Sequence, residues 1–249
     1  HGLLGKDRGG HLRRGREEQP VTVQPIVRPF VVGTEVGDRG FDLDDPDFAI
    51  AAERNALRRE LRARRRALPA AARIAGADAL ATRLFALPFF PAKGYVAGYW
   101  AMDGEIGLHS WQLRLPPGLV YCLPVLADDE TLRFAPWRPG DELVTNRYGI
   151  PEPDVDPRAS LTATDMALIV VPLVGFDGAG HRLGMGGGWY DRTLASRLQR
   201  PAPPWLVGVG FEAQRIDAVG AQAWDVPLDA ICTERDTLIP SSSLPDAPP

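Results

Sequence analysis

Residues 167–192 read ALIVVPLVGFDGAGHRLGMGGGWYDR, and the rest of the chain arranges itself around them. The stretch opens on an apolar, β-branched run, Leu168 to Val174, then passes through a loop holding Gly178 and Gly180. It reaches Arg182-Leu183-Gly184-Met185-Gly186-Gly187-Gly188-Trp189-Tyr190-Asp191. From Trp189 to about Gln199 the spacing turns helical, with Leu194 and Leu198 on one side and Arg192 and Arg197 off it. A buried strand, a glycine loop and a helix start, in that order, present backbone N–H groups to an anion.

Working outward, the pattern predicts a long helix from a cap at Asp44 or Asp45, through Pro46 at its first turn, to about Leu68. Leu57, Leu61 and Leu68 mark its inner side, while Arg54, Arg58, Arg62 and Arg65 form a basic stripe. That stripe is open to two readings, a solvated face or arginines turned back on an anionic ligand. A second helix runs from Pro69 to about Leu87. Strands are expected at 94–100, 119–126, 132–137, 168–174, 205–211 and 229–233, with a short helix at 108–113. Residues 138–157, with four prolines, read as a long excursion, and 218–224 as short and irregular. Apolar strands alternating with helical stretches imply a sheet covered on both faces. The expected fold is a three-layer α/β/α sandwich over 46–238, its strands parallel or mixed. Residues 1–45 are expected to be a disordered arm and 239–249 a disordered tail. In such sheets ligands bind beyond the carboxyl ends of strands, here the loops after Trp100, Phe176 and Phe211.

Composition narrows the partners. The chain has 249 residues, 45% hydrophobic and 24% charged, with a net charge of −4, so no global basic field draws it to nucleic acid. Lysine occurs only at Lys6 and Lys93 against 26 arginines, so a cation in any site is almost forced to be arginine. Cys122 and Cys232, the only cysteines, suit a reduced compartment. No apolar run reaches the roughly 18 residues that span a membrane, and nothing near His1 resembles a signal peptide. The expectation is a cytoplasmic protein.

The glycine loop fits neither common phosphate fingerprint. Trp189 stands where the third glycine of GxGxxG belongs, and no lysine is near to serve a P-loop. Its neighbours Arg182, Arg192 and Asp191 make an anion cradle plausible chemistry. Asp191 can also serve merely as an acidic partner of the helix dipole. A carboxylate beside a phosphate repels it unless a cation lies between them, which Mg²⁺ held by one or two carboxylates would supply. The second carboxylate is open between Asp225 and Asp229. Glu105 reads by itself as a surface loop acid. No histidine pairs with a cysteine at zinc spacing, and no Gly-x-Ser-x-Gly elbow is present.

Pro172-x-x-x-Phe176-Asp177, Gly180, and Arg182-Leu183-Gly184 through Asp191-Arg192 are similar to the signature of the 5-formyltetrahydrofolate cyclo-ligase family. Supporting matches are Arg54-x-x-x-Arg58, Tyr99-Trp100 with Gly104-Glu105, Tyr148-Gly149-Ile150-Pro151-Glu152-Pro153, and Asp225-x-x-x-Asp229 with Ile231 and Thr233-Glu234. The resemblance spans about residues 50–238. It implies a fold related to the sugar-phosphate isomerase and CoA-transferase type. It also implies ATP-dependent closure of 5-formyltetrahydrofolate to 5,10-methenyltetrahydrofolate with release of ADP and phosphate; separately, the chain is expected to act as a monomer.

Carried over position by position, the resemblance implies that Arg54, Arg58 and Arg182 through Tyr190 (Leu183, Gly184, Met185, Gly186, Gly187, Gly188, Trp189) contact ATP. Trp100, Glu105 and residues 185–189 would contact the folate, and Asp191 and Asp225 would hold Mg²⁺. The chain departs from the family pattern at Arg54, usually lysine, at Met185, at Gly187, and at Trp189, which replaces a tyrosine and lacks its hydroxyl. Rival expectations are a non-catalytic folate- or nucleotide-binding protein and a sugar-phosphate isomerase-like enzyme on a related fold.

Overall fold

The computed structural model describes residues 46–220, 222 and 225–240. The expected arm at 1–45 and the last nine residues of the expected tail lie outside them. Two helices open the described chain, α1 (Pro46–Arg66) and α2 (Ala70–Phe85), separated by a short turn with Pro69 at the N-cap of α2. Next come β1 (Gly94–Ala97), α3 (His109–Leu113), β2 (Leu119–Leu126) and β3 (Leu132–Pro136). The hairpin strands β4 (Leu143–Thr145) and β5 (Pro151–Pro153) follow, then β6 (Met166–Pro172). A second small hairpin, β7 (Gly175–Phe176) and β8 (Arg182–Leu183), leads to α4 (Trp189–Leu194). β9 (Trp205–Val209), β10 (Ala230–Cys232) and β11 (Thr237–Leu238) end the order.

Seven strands form one sheet in the order β11-β10-β9-β6-β1-β2-β3. The inner pairs are all parallel, and the two edges, β2 with β3 and β10 with β11, are antiparallel. The sheet is therefore mixed. The strand β6 explains why its sequence is apolar throughout. Leu168 and Val170 point into one core, with Leu80, Leu84 and Trp111 from α2 and α3. Ile169 and Val171 point into the other, with Leu194, Leu206, Val226 and Leu228. Side chains alternate across a strand, so a strand buried on both faces has no polar positions to spare.

The first helix does not lie on a sheet face. Leu61 is fully buried against Val174, Leu183 and Val219, so α1 leans on the β7–β8 hairpin beyond the carboxyl end of β6. Gly175 makes that approach possible, since a Cβ there would sit 2.5 Å from Leu61 Cδ1.

Several boundaries differ from the sequence reading. The glycine stretch is not a plain loop, because Phe176 and Arg182 pair as strands before it. The expected helix at 189–199 ends as α-helix at Leu194 and tightens to a 3-10 turn over Ala195–Leu198. The excursion at 138–157 holds the β4–β5 hairpin, whose prolines occupy the ends of β5. Of the expected tail, Ile239 packs against the first core. Local periodicity cannot register two- and three-residue strands whose partners are set by turn chemistry.

Candidate active site

The strands β1, β6 and β9 run parallel, so the loops after Ala97, Pro172 and Val209 leave the sheet at one end. The glycine loop and the two loops beside it meet there, and α1 brings its arginines alongside.

The basic stripe of α1 divides by turn. Arg58 donates from Nε to the carbonyl of Gly184 at 2.9 Å and from Nη1 to Asn55 Oδ1 at 2.8 Å. Arg54 donates to the carbonyl of Gly220. Burial, with Arg54 nearby, holds the Arg58 guanidinium below its usual value, and Asp225 opposes this. Gly186 adopts φ +95°, and a Cβ there would lie 3.3 Å from Arg58 Cζ. Only glycine takes that conformation freely while letting the guanidinium lie on the backbone.

One turn further on, Arg62, Arg65 and Arg66 converge on Asp103 in the loop after β1, at 2.6, 2.9 and 3.0 Å. Arg65 is wholly buried. It also donates to the Asp103 carbonyl at 3.0 Å and lies 3.6 Å from Glu105 Oε1. The stripe is thus neither a solvated face nor wholly a ligand face. Its first half borders the glycine loop, and its second half clamps the loop that carries Glu105.

Glu105 is held in place by that clamp. Its Oε2 accepts the N–H of Met102 at 3.0 Å. Burial pushes its carboxyl above the usual carboxylate value, against the pull of the Met102 N–H and of Arg65. Tyr190, at the start of α4, is close enough that Glu105 adds to the burial that raises its phenol. Arg58 and Arg65, seven residues apart on one face of α1, reach the glycine loop and the Glu105 loop respectively. Beside Glu105 the buried Tyr99 donates its hydroxyl to the Ile106 carbonyl at 2.5 Å. Trp100 stands half-exposed, edge-on to Trp137 at 5.7 Å between ring centroids.

The glycine loop is closed by charge at its base. Arg182, buried in β8, donates to Asp191 Oδ1 and to the carbonyl of Val226. Burial lowers its guanidinium from the ordinary value, while Asp191, Asp225 and Tyr190 hold it up. Asp191 is thus paired with a buried arginine and is more than a dipole partner. Its Oδ2 has no hydrogen-bond partner among the described residues, and neither does Oδ1 of Asp225, whose Oδ2 accepts from the N–H of Gln222 at 2.8 Å. Asp229 is already committed, its two carboxylate oxygens sharing Nη2 of Arg197 at 2.8 and 3.0 Å and Oδ2 also accepting the N–H of Leu206 at 2.7 Å. Of the two aspartates, Asp225 is the one that keeps a carboxylate oxygen without a hydrogen-bond partner among the described residues.

Two oxygens of this kind suit a hard divalent cation that draws its remaining ligands from phosphate and water. Among the described residues no group of three or more His, Cys, Asp or Glu side chains is placed to hold a metal by itself.

Of the loop's own residues, Gly186, Gly187 and Gly188 have N–H groups that meet no acceptor among the described residues. Met185 is exposed, and Leu183 turns its side chain into the core with Leu61. Trp189 carries Arg147 and Arg192 over its ring at 5.3 and 5.5 Å. Sequence reasoning did not find Asp103 or Gln214. The latter is buried and donates to the carbonyls of Leu173 and Val174 at 2.7 and 2.9 Å, fixing the loop after β6. The one signal available for Asp103 was its place in an Asp-Gly turn, between Trp100 and Glu105. The thiols of Cys122 and Cys232 are both buried and pushed up to about 12, so neither offers a thiolate.

Among the described residues no helix is long and apolar enough to cross a membrane. The chain is 37% identical over 177 residues to 5-formyltetrahydrofolate cyclo-ligase of Escherichia coli, covering 70% of this chain and 96% of the relative. It is 29% identical over 189 residues to the enzyme of that name from Mycolicibacterium smegmatis, covering 74% and 94%. The solved Aquifex aeolicus 5,10-methenyltetrahydrofolate synthetase superposes with a TM-score of 0.65 at 26% identity, over 78% of this chain and 96% of that one. The model of the 5-formyltetrahydrofolate cyclo-ligase family matches residues 50–234, and the chain belongs to that family.

Proposed function

We propose that this protein closes 5-formyltetrahydrofolate to 5,10-methenyltetrahydrofolate at the expense of ATP, releasing ADP and phosphate. The observation that carries the reading is an arginine-flanked glycine loop at the end of the sheet from which the Glu105 loop also leaves, with Arg58 and Arg65 on one face of α1 reaching the two loops. In the reaction the formyl oxygen bonds to the γ-phosphorus as the bond to ADP breaks. The folate's bridge amine then adds to the activated carbon, loses its proton, and phosphate leaves. Oxygen is a poor leaving group until phosphorylated. Little covalent chemistry falls to the protein, and positioning and charge neutralisation fall to it instead.

The named residues suit those tasks. Arg58 and Arg182 bring fixed positive charge to the two sides of the glycine loop, and arginine keeps that charge even when buried. The N–H groups of Gly186 to Gly188 are donors for phosphoryl oxygens. Asp191 and Asp225 would hold Mg²⁺, which when bound supplies charge neutralisation between carboxylates and phosphates. Glu105, fixed by Arg65 and Met102, accepts from N–H donors of the pterin and so orients the formyl group. Trp100 and Trp189 offer ring faces to the flat folate. The reading includes a cytoplasmic monomer acting on two small molecules, without nucleic acid.

The test is direct. Purified protein is mixed with 5-formyltetrahydrofolate and MgATP, and the near-ultraviolet absorbance of methenyl-folate is followed. ATP-dependent growth of that band with one ADP per methenyl group is expected. Folate binding without an ATP-dependent band would instead make the chain a non-catalytic binder.

A further inference from the structure

The β4–β5 hairpin brings its turn, Asn146-Arg147-Tyr148-Gly149, onto the glycine loop. Tyr148 meets the ring of Trp189 edge-on at 6.0 Å between centroids. The Arg147 guanidinium lies over both rings, 5.4 Å from Tyr148 and 5.3 Å from Trp189. The turn is firmly built. Asn146 Oδ1 accepts the N–H groups of Tyr148 and Ile150 at 2.9 and 3.1 Å. Its Nδ2 donates to Glu152 Oε2 at 2.9 Å, and that oxygen also accepts the N–H of Leu126 in β2 at 3.2 Å. The hairpin is thereby tied to the central sheet, and its tip is presented at a fixed place.

Two arginines share the Trp189 ring, and they differ in what they hold. Arg192 is committed, donating to the carbonyls of Glu130 and Gly187 at 3.0 and 2.9 Å with the Glu130 carboxylate at 3.7 Å. Arg147 makes no hydrogen bond or ion pair among the described residues, and its side chain is exposed. A guanidinium held between two aromatic faces has already lost much of its freedom, so pairing it with an anion costs less entropy.

We infer that Arg147 is a specificity-determining residue that receives the glutamate carboxylates of the folate, with Tyr148 and Trp189 flanking the substrate's aromatic linker. The inference rests on the cyclo-ligase reading of the site. Of the two anionic substrates, the folate is the one that matches. The phosphate-facing cations Arg58 and Arg182 occupy the Gly184–Gly186 side and the Asp191 side of the loop. Arg147 lies instead over Trp189, where its neighbours are rings and its free donors form a planar fork suited to carboxylate.

The experiment compares KM values for 5-formyltetrahydrofolate, for 5-formyltetrahydropteroate, which lacks the glutamate, and for ATP, in the wild-type chain, Arg147→Gln and Arg147→Lys. Arg147→Gln is expected to raise KM for the glutamate-bearing folate about tenfold, or about 1.4 kcal/mol. The pteroate and ATP values should stay within twofold, and Arg147→Lys should recover most of the loss. An equal rise for both folates, a parallel rise for ATP, or no rise in Arg147→Gln overturns the inference. Wild-type turnover of both folates with equal KM overturns it while leaving the cyclo-ligase reading intact. A wild-type chain that neither converts nor, by calorimetry, binds either folate removes both.

Discussion

Replacing Asp103 by asparagine probes the clamp that ties α1 to the Glu105 loop. Asp103 sits at φ +50°, a conformation that asparagine tolerates and alanine does not, so Asp103→Asn removes charge with little added strain. Its carboxylate pairs with three guanidiniums, of which the Arg65 one is wholly buried. Breaking a buried pair outright costs about 3–5 kcal/mol. Here the loss is smaller, because Glu105 and the Asp103 carbonyl still face Arg65 and the Asp103 side chain is 24% exposed. The exposed Arg66 pair adds under about 0.5 kcal/mol. A net loss of about 2 kcal/mol follows, which for a domain of this size lowers Tm by about 4–8 °C.

The pH dependence is also fixed. The arginines hold the Asp103 carboxyl below its ordinary value of 3.8, against the opposing effect of burial. Its contribution is therefore whole above that value and disappears as pH falls through the lowered one. Thermal melts of both proteins from pH 7 downward should show the gap closing below about pH 4. A gap under about 0.5 kcal/mol at pH 7, or one that persists unchanged in acid, would refute the clamp.

The remaining predictions concern the site itself. Because burial raises the Glu105 carboxyl, folate affinity that depends on its ionised form should fall on acidification earlier than for an ordinary carboxylate. Glu105→Gln should weaken folate binding about tenfold and flatten that acid limb in a plot of folate KM against pH. Arg58→Ala should raise KM for ATP about tenfold or more, with a much smaller effect on the folate, in initial-rate titrations of each substrate. Equal effects on both would argue against a phosphate contact. Asp225→Asn should raise the Mg²⁺ concentration for half-maximal rate about tenfold with little change in Tm. Asp191→Asn should do the same and also lower Tm, since it leaves Arg182 buried without its carboxylate; calorimetry separates the two.

The central sheet and the glycine loop could be read from local pattern because each is encoded locally. The run Leu168–Val171 is apolar at every position, and only a strand covered on both faces asks for that. The glycines and their flanking Arg182 and Asp191 lie within ten residues of one another, so their company was visible in the chain. The short hairpins were not, because two- and three-residue strands carry no period. The division of the α1 stripe was equally hidden. Arg58 and Arg65 lie on nearly the same face of one helix, yet one borders Gly184 and the other is buried against Asp103.

What the sequence alone determined was a mixed set of apolar strands and helices, a glycine loop flanked by charge, and a motif order that resembles one family. What only the tertiary structure decided was which charges meet. Asp229 and Asp225 are four residues apart and chemically identical, but Arg197, from the 3-10 turn after α4, takes one and leaves the other beside Arg182. Arg147 and Trp189 are far apart in the chain, and a hairpin pinned to β2 brings them into contact. Pairing across such separations depends on how layers pack, and no window along a sequence contains it.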